Sequence, residues 1–305
     1  MAIRDIVLHQ GTDKRAAAWF EIAVALAKVH EARLIGVLVK AEPGAPGHWW
    51  PVSGRAKMAE WLSRMERAHG ELEAAFTARL RDEGVTGEWR VMHGEPGEVL
   101  TACARRGDLT VIGQTDPDEP VYGAGLPHQL VLGAGAPVLI VPYAGTFKTV
   151  GRRVLLAWDG GREAARTVRD AMPLLKRAET VTVYVINPAD DGQAAGADIC
   201  AYLARHGVTA AASHAVLGPE TAAVSSALQT VGGFGFQQRG PWSYTRRPPM
   251  GAADVGNALL SAVTDEAADL LVMGAYGHAR IRELVLGGAT REVLGSMTVP
   301  VLMSH

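Results

Sequence analysis

Short, almost wholly apolar runs alternate along this chain with amphipathic stretches, and that alternation predicts its architecture. Ile6 to Leu8 opens a β-branched and aliphatic run; after the polar Gln10 to Arg15, the apolar positions from Ala16 to Val29 fall at helical spacing. Arg33 to Val39 predicts a second buried strand, followed by a Pro/Gly loop, Glu42 to Pro51, that carries His48, Trp49 and Trp50. From Gly54 to Gly84 the pattern is charged and amphipathic, with Met58, Trp61, Leu62, Met65, Leu72, Ala75, Phe76 and Leu80 near helical positions, as in one long helix or a broken one. Glu88 to Met92 reads as a third strand, Pro96 to Arg105 as a helix, Leu109 to Gly113 as a fourth strand and Pro137 to Pro142 as a fifth. Strands alternating with helices predict an α/β fold with a parallel sheet covered on both faces.

The second half repeats this programme. Ile6-Val-Leu-His-Gln-Gly-Thr-Asp-Lys-Arg-Ala-Ala aligns without a gap on Val154-Leu-Leu-Ala-Trp-Asp-Gly-Gly-Arg-Glu-Ala-Ala. Arg33 to Val39 finds its counterpart in Val181 to Ile186, Leu109 to Gly113 in Leu270 to Gly274, and Ala136 to Ile140 in Val299 to Met303. Four strands matched in order predict two tandem units rather than one large domain, with a boundary in the polar stretch Ala144 to Arg153. The expected division is 1–146 and 147–305, the second unit carrying an insertion around 219–252. That insertion contains GGFGFQQRGPWSYTRRPP, where Phe234, Phe236, Trp242 and Tyr244 alternate with Arg239, Arg246 and Arg247. Aromatics beside arginines can stack on a base, but a peripheral inserted loop is the plainer reading.

Charge and cysteine content narrow the partners. Thirty basic against 32 acidic residues give a net charge of −2, and no run of Lys or Arg suggests nucleic acid or an anionic membrane. Cys103 and Cys200 lie far apart without a C-x-x-C pair, which speaks against a disulfide framework or a structural zinc site and fits a reduced, cytoplasmic setting. No apolar run approaches the roughly 18 residues of a membrane helix, and the N-terminus lacks the features of a signal peptide.

Candidate chemistry gathers at the carboxyl ends of the second half's strands, where a doubly wound sheet holds its ligands. Trp158-Asp159-Gly160-Gly161 follows the first strand of that half; Gly274-Ala-Tyr-Gly277 follows the fourth and leads to Gly287-Gly288-Ala289-Thr290. Glycines allow the backbone to approach a phosphate, and amides at a helix start point toward an anion with the helix dipole behind them. Asp159 can accept hydrogen bonds from ribose hydroxyls or an adenine amine. Singly, each piece also has a structural reading: a strand-to-helix turn for Gly274 and Gly277, a helix cap for Gly287 and Gly288, an N-cap for Asp159.

The spacing is more specific. Gly274, two residues, Gly277, nine residues, Gly287 resembles the universal stress protein family, whose nucleotide-binding members carry G-x2-G-x9-G followed by Ser or Thr. Here Gly288 replaces that hydroxyl residue and Thr290 stands two positions later. The resemblance covers the whole chain as two tandem copies. It implies Rossmann-like doubly wound domains, each with a five-stranded parallel sheet in the order 3-2-1-4-5. It also implies fifth strands, Pro137 to Val141 and Pro300 to Met303, that pair across the two domains as a pseudo-dimer, and it is compatible with a homodimer. For the site it implies an adenine nucleotide, ATP or a relative, with or without Mg2+. Asp159 would contact adenosine, the backbone at Val185 adenine, and Gly274, Gly277, Gly287, Gly288, Ala289 and Thr290 the ribose and phosphates.

The first half has lost the pattern. Gly11 stands where Asp159 would, Asp116 where Gly277 would, and the loop QTDPDEPVYGAGL places three acids where phosphates would lie. The motifs G-x4-G-K-[ST], G-x-S-x-G and H-E-x-x-H do not occur, and the ten histidines, among them His93, His128 and His278, show no ligand spacing. His278, Arg280, Arg282 and Glu283 flank the glycine loop without a defined role. The expected function is a nucleotide-binding stress protein acting through conformation or partners, with slow hydrolysis at most. The alternative is a nucleotide-free scaffold that uses its degenerate first half and its aromatic insertion.

Overall fold

A computed structural model describes residues 2–11, 16–40, 55–115, 125–188, 194–217, 252–276 and 288–305. The first half contributes strands β1 (Asp5–Gln10), β2 (Arg33–Lys40), β3 (Gly87–His93), β4 (Leu109–Gly113) and β5 (Val138–Val141). Helices α1 (Ala16–His30), α2 (Arg55–Glu83), α3 (Pro96–Ala104) and α4 (Leu126–Gly133) connect them. The second half contributes β6 (Arg153–Ala157), β7 (Thr180–Ile186), β8 (Ala210–Ala215), β9 (Leu270–Gly274) and β10 (Val301–Ser304). Its helices are α5 (Arg162–Leu175), α6 (Ala197–Arg205), α7 (Ala252–Asp265) and α8 (Gly288–Ser296).

The strands form one ten-stranded sheet in the order β3-β2-β1-β4-β5-β10-β9-β6-β7-β8. The expected order 3-2-1-4-5 thus occurs twice, the second time reversed along the sheet. Pairing is parallel within each half and antiparallel at the seam, where Val301, Leu302 and Met303 stand opposite Ile140, Leu139 and Val138. Each fifth strand therefore covers what would otherwise be an open edge in the other half.

Alternation along the strands distributes the core to both faces. Ile6 and Leu8 belong to the apolar cluster on one face and Val7 to that on the other; Val272 and Leu271 divide in the same way. Burial of each such side chain contributes about 1.5–3 kcal/mol. The long helix α2 runs unbroken and attaches near its C-terminal end, where Phe76 stacks on Phe20 at 5.6 Å between ring centroids and meets Trp89 at 5.2 Å.

The repeat extends to polar details that hydropathy does not reveal. Asp108, one residue before β4, accepts hydrogen bonds from the amides of Arg4 (2.7 Å) and Asp5 (3.0 Å). Its counterpart Asp269, one residue before β9, accepts from the amides of Gly151 (3.0 Å) and Arg153 (2.9 Å). In both halves a carboxylate pins the entry of the first strand beside the fourth. Apolar periodicity alone does not delimit α6 and β8: β8 is AAASHA, poor in the β-branched and aromatic residues that signal a strand, and it lies at the sheet's edge. The aromatic and arginine residues noted from Phe234 to Arg247 lie outside the described residues.

Candidate functional site

In the second half the winding reverses between β6 and β9, which are neighbours in the sheet although β7 follows β6 in the chain. Ligand crevices of doubly wound sheets open at such a point, beyond the strand carboxyl ends. Three of the sequence-derived residues stand there: Asp159 two residues past β6, Val185 next to the last residue of β7, and Gly274 at the end of β9. The amide of Trp158 donates to the Tyr184 carbonyl at 2.9 Å, which ties the Asp159 loop to the end of β7.

Asp159 holds its own loop. Its Oδ1 accepts from the amide of Gly161 at 2.8 Å, while Gly160 adopts φ +73° and Gly161 begins α5 without a side-chain cap. A carboxylate has acceptor capacity beyond one such bond. Gly274 is dictated by packing: a β-carbon there would lie 2.6 Å from the Ala164 nitrogen and 2.7 Å from the Glu163 carbonyl carbon. The end of β9 therefore lies directly on the first turn of α5. Val185 is buried, with its side chain against Gly196.

Gly288 and Ala289, both half-buried, are the first two residues of α8, where amides lack partners within the helix. Thr290 is buried, and its hydroxyl accepts from the amide of Tyr276 at 3.3 Å, so the start of α8 is fastened to the end of β9. Gly277 and Gly287 lie outside the described residues, as do His278, Arg280, Arg282 and Glu283. Among the described residues, no group of three or more His, Cys, Asp or Glu side chains could hold a metal ion.

Several residues at this place carry no sequence motif. Glu163 is buried under the crevice; burial opposes its ionisation, but hydrogen bonds from Arg162 and its own backbone, with the charges of Arg162 and His305, hold its pKa below the usual value. The Tyr276 ring is buried, and burial raises its hydroxyl to a pKa of about 12. It meets the ring of His305 edge-on at 6.0 Å and that of His128, on α4 of the first half, at 6.5 Å. Burial and the charge of Arg291 lower the His128 pKa.

The ends of β1 and β4 in the first half are packed differently. Trp19, on α1, is 3% exposed; its Nε1 donates to the His9 carbonyl at 3.1 Å, and its ring lies 2.5 Å from where a β-carbon on Gly113 would stand. The indole thus lies between α1 and the ends of β1 and β4, whereas in the second half the backbone of α5 itself meets Gly274 at the end of β9. Thr167, much smaller, is its counterpart there by the repeat.

The sequence profile of the universal stress protein family matches residues 250–305. A universal stress protein of Synechocystis sp. (strain ATCC 27184 / PCC 6803 / Kazusa) is 51% identical over 45 residues, 15% of this chain and 16% of that relative's length. The stretch 250–305 is thus similar in sequence to universal stress proteins, and the match covers the last strand, helix and glycine motif of the second half. The fold of the chain is similar over nearly the full length to a universal stress protein from Archaeoglobus fulgidus DSM 4304, with a TM-score of 0.68 at 13% identity, over 98% of this chain and 95% of that one. A functionally unknown protein from Pseudomonas aeruginosa gives a TM-score of 0.56 at 14% identity, over 99% of this chain and 92% of that one. At these identities the likeness is one of fold. Among the described residues no helix is long and apolar enough to cross a membrane.

Proposed function

We propose that this chain is a universal stress protein that binds ATP or a related adenine nucleotide at the winding reversal between β6 and β9, and acts in a stress response through conformation or partner binding. The supporting observation is the position of Asp159, Gly274 and the first turn of α8, the last fastened to the end of β9 through Thr290 and Tyr276, at the winding reversal of the second half. Asp159 would accept from the ribose hydroxyls, and the backbone at Val185 would meet the adenine edge. The amides of Gly288 and Ala289 would face phosphate, with the helix dipole favouring negative charge. Gly277 and Gly287 complete the motif in sequence.

In this reading the chain comprises units 1–146 and 147–305, cytoplasmic, joined through β5 and β10, with the first as a degenerate partner. Binding is its business rather than turnover, with any hydrolysis slow. The test is mass spectrometry of ligand released from the purified protein, followed by ATP titration of the wild type and Gly277→Asp. Binding by the wild type that the aspartate abolishes supports the reading; equal and negligible binding by both refutes it and leaves the nucleotide-free scaffold.

A further inference from the structure

Contacts from both halves cross the seam at the ends of the fourth strands. From the first half, Gln114 Nε2 donates to the Leu294 carbonyl at 2.7 Å, near the end of α8. From the second half, Tyr276 lays its ring against His128 in the first turn of α4. Tyr276 is held there at a cost. Its φ is +63°, a conformation that a bulky residue rarely adopts. Its hydroxyl is buried without a hydrogen-bond partner among the described residues, and so is His128 Nδ1. Such groups persist only where the surroundings over-determine them, and they lower the barrier to an alternative arrangement. The same Tyr276 is fastened by its amide to the Thr290 hydroxyl in the first turn of α8. That bond is long, and the hydroxyl can still donate its proton to an anion at the helix start.

We propose that Thr290, Tyr276 and His128 form a relay through which an anionic ligand at the start of α8 changes the packing of α4 in the first half. The inference rests on the nucleotide reading above and adds what the first half does: it senses occupancy of the second. An anion that engages the Thr290 hydroxyl moves the acceptor of the Tyr276 amide. Tyr276, already in a strained backbone conformation, moves with it, and its ring shifts on His128. By linkage the coupling is reciprocal, so loosening the His128 contact alters affinity at α8.

The test is amide hydrogen exchange across residues 126–133 with and without saturating ATP, AMP or adenosine, in the wild type and His128→Ala. In the wild type, ATP and AMP are expected to change exchange in this segment at least about threefold, and adenosine, which lacks the anion, to leave it unchanged. In His128→Ala the nucleotide still binds, with affinity shifted about three- to tenfold, and the exchange response disappears. Nucleotide binding with unaltered exchange at 126–133 in the wild type would overturn the relay while leaving the nucleotide reading intact. So would a full response in His128→Ala. Failure of every nucleotide to bind would remove both. Tyr276→Phe, which keeps the ring and deletes only the unpartnered hydroxyl, should retain the response; its loss there would also count against a relay carried by ring packing.

Discussion

Gly274 at the end of β9 lies so close to Ala164 in the first turn of α5 that no β-carbon fits between them, the nearest atom being the Ala164 nitrogen at 2.6 Å. The obstacle is backbone, which cannot swing aside as a side-chain tip can. Gly274→Ala is therefore expected to destabilise the protein by about 2 kcal/mol or more, the usual cost of overpacking a rigid contact. Urea unfolding monitored by circular dichroism checks it; an unchanged midpoint would mean that α5 can move away from β9.

Asp159 has a structural bond and a proposed ligand role, and two substitutions separate them. Asp159→Asn keeps an oxygen to accept from the Gly161 amide and should leave stability within about 0.5 kcal/mol, whereas Asp159→Ala should lose about 1 kcal/mol. Both should weaken adenosine as well as ATP in calorimetric titration. Weakening of ATP alone would place Asp159 at the phosphate end.

Gln114 spans the seam with both ends of its amide: Nε2 donates to the Leu294 carbonyl and Oε1 accepts from the Tyr143 amide at 3.1 Å. Gln114→Leu removes both bonds in a largely buried place. A loss of about 2 kcal/mol is expected, at the cost of unsatisfied polar groups. Thermal unfolding that remains as stable as the wild type would show that the seam repacks or admits water.

His9 makes stability depend on pH. Burial lowers its pKa from 6.5 to about 4, so as pH falls the unfolded chain takes up this proton first. The contribution of His9 is whole above about pH 6.5 and is lost progressively toward pH 4, by roughly 3 kcal/mol in all. Urea unfolding between pH 7 and pH 4 should show His9→Gln losing less stability than the wild type by an amount of that order. Parallel curves for the two proteins would assign the acid sensitivity to other groups.

The lost motif of the first half limits the stoichiometry. With Gly11 where the second half has Asp159 and Asp116 where it has Gly277, calorimetric titration with ATP should end at one equivalent per chain. A second equivalent of comparable affinity would mean that the first half binds without the motif.

Much of this protein follows from local regularities. The apolar runs and their helical or strand periods placed the strands of the first half and four of the second, because burial on both sides of a parallel sheet demands unbroken apolar segments. The repetition of that pattern foretold two units, the resemblance to universal stress proteins implied the order 3-2-1-4-5 in each, and the glycine spacing singled out the second half. Gly277 and Gly287 lie outside the described residues, so they stay a reading of sequence. What only the tertiary structure decided is which side chains meet at long separation: Trp19 with Gly113, Gln114 with Leu294, Tyr276 with His128 and Thr290. A glycine written in the chain does not say whether its missing β-carbon makes room for a ligand or for another backbone. At Gly274 it makes room for α5, and the difference lies in an approach of two segments more than a hundred residues apart, which no local pattern encodes.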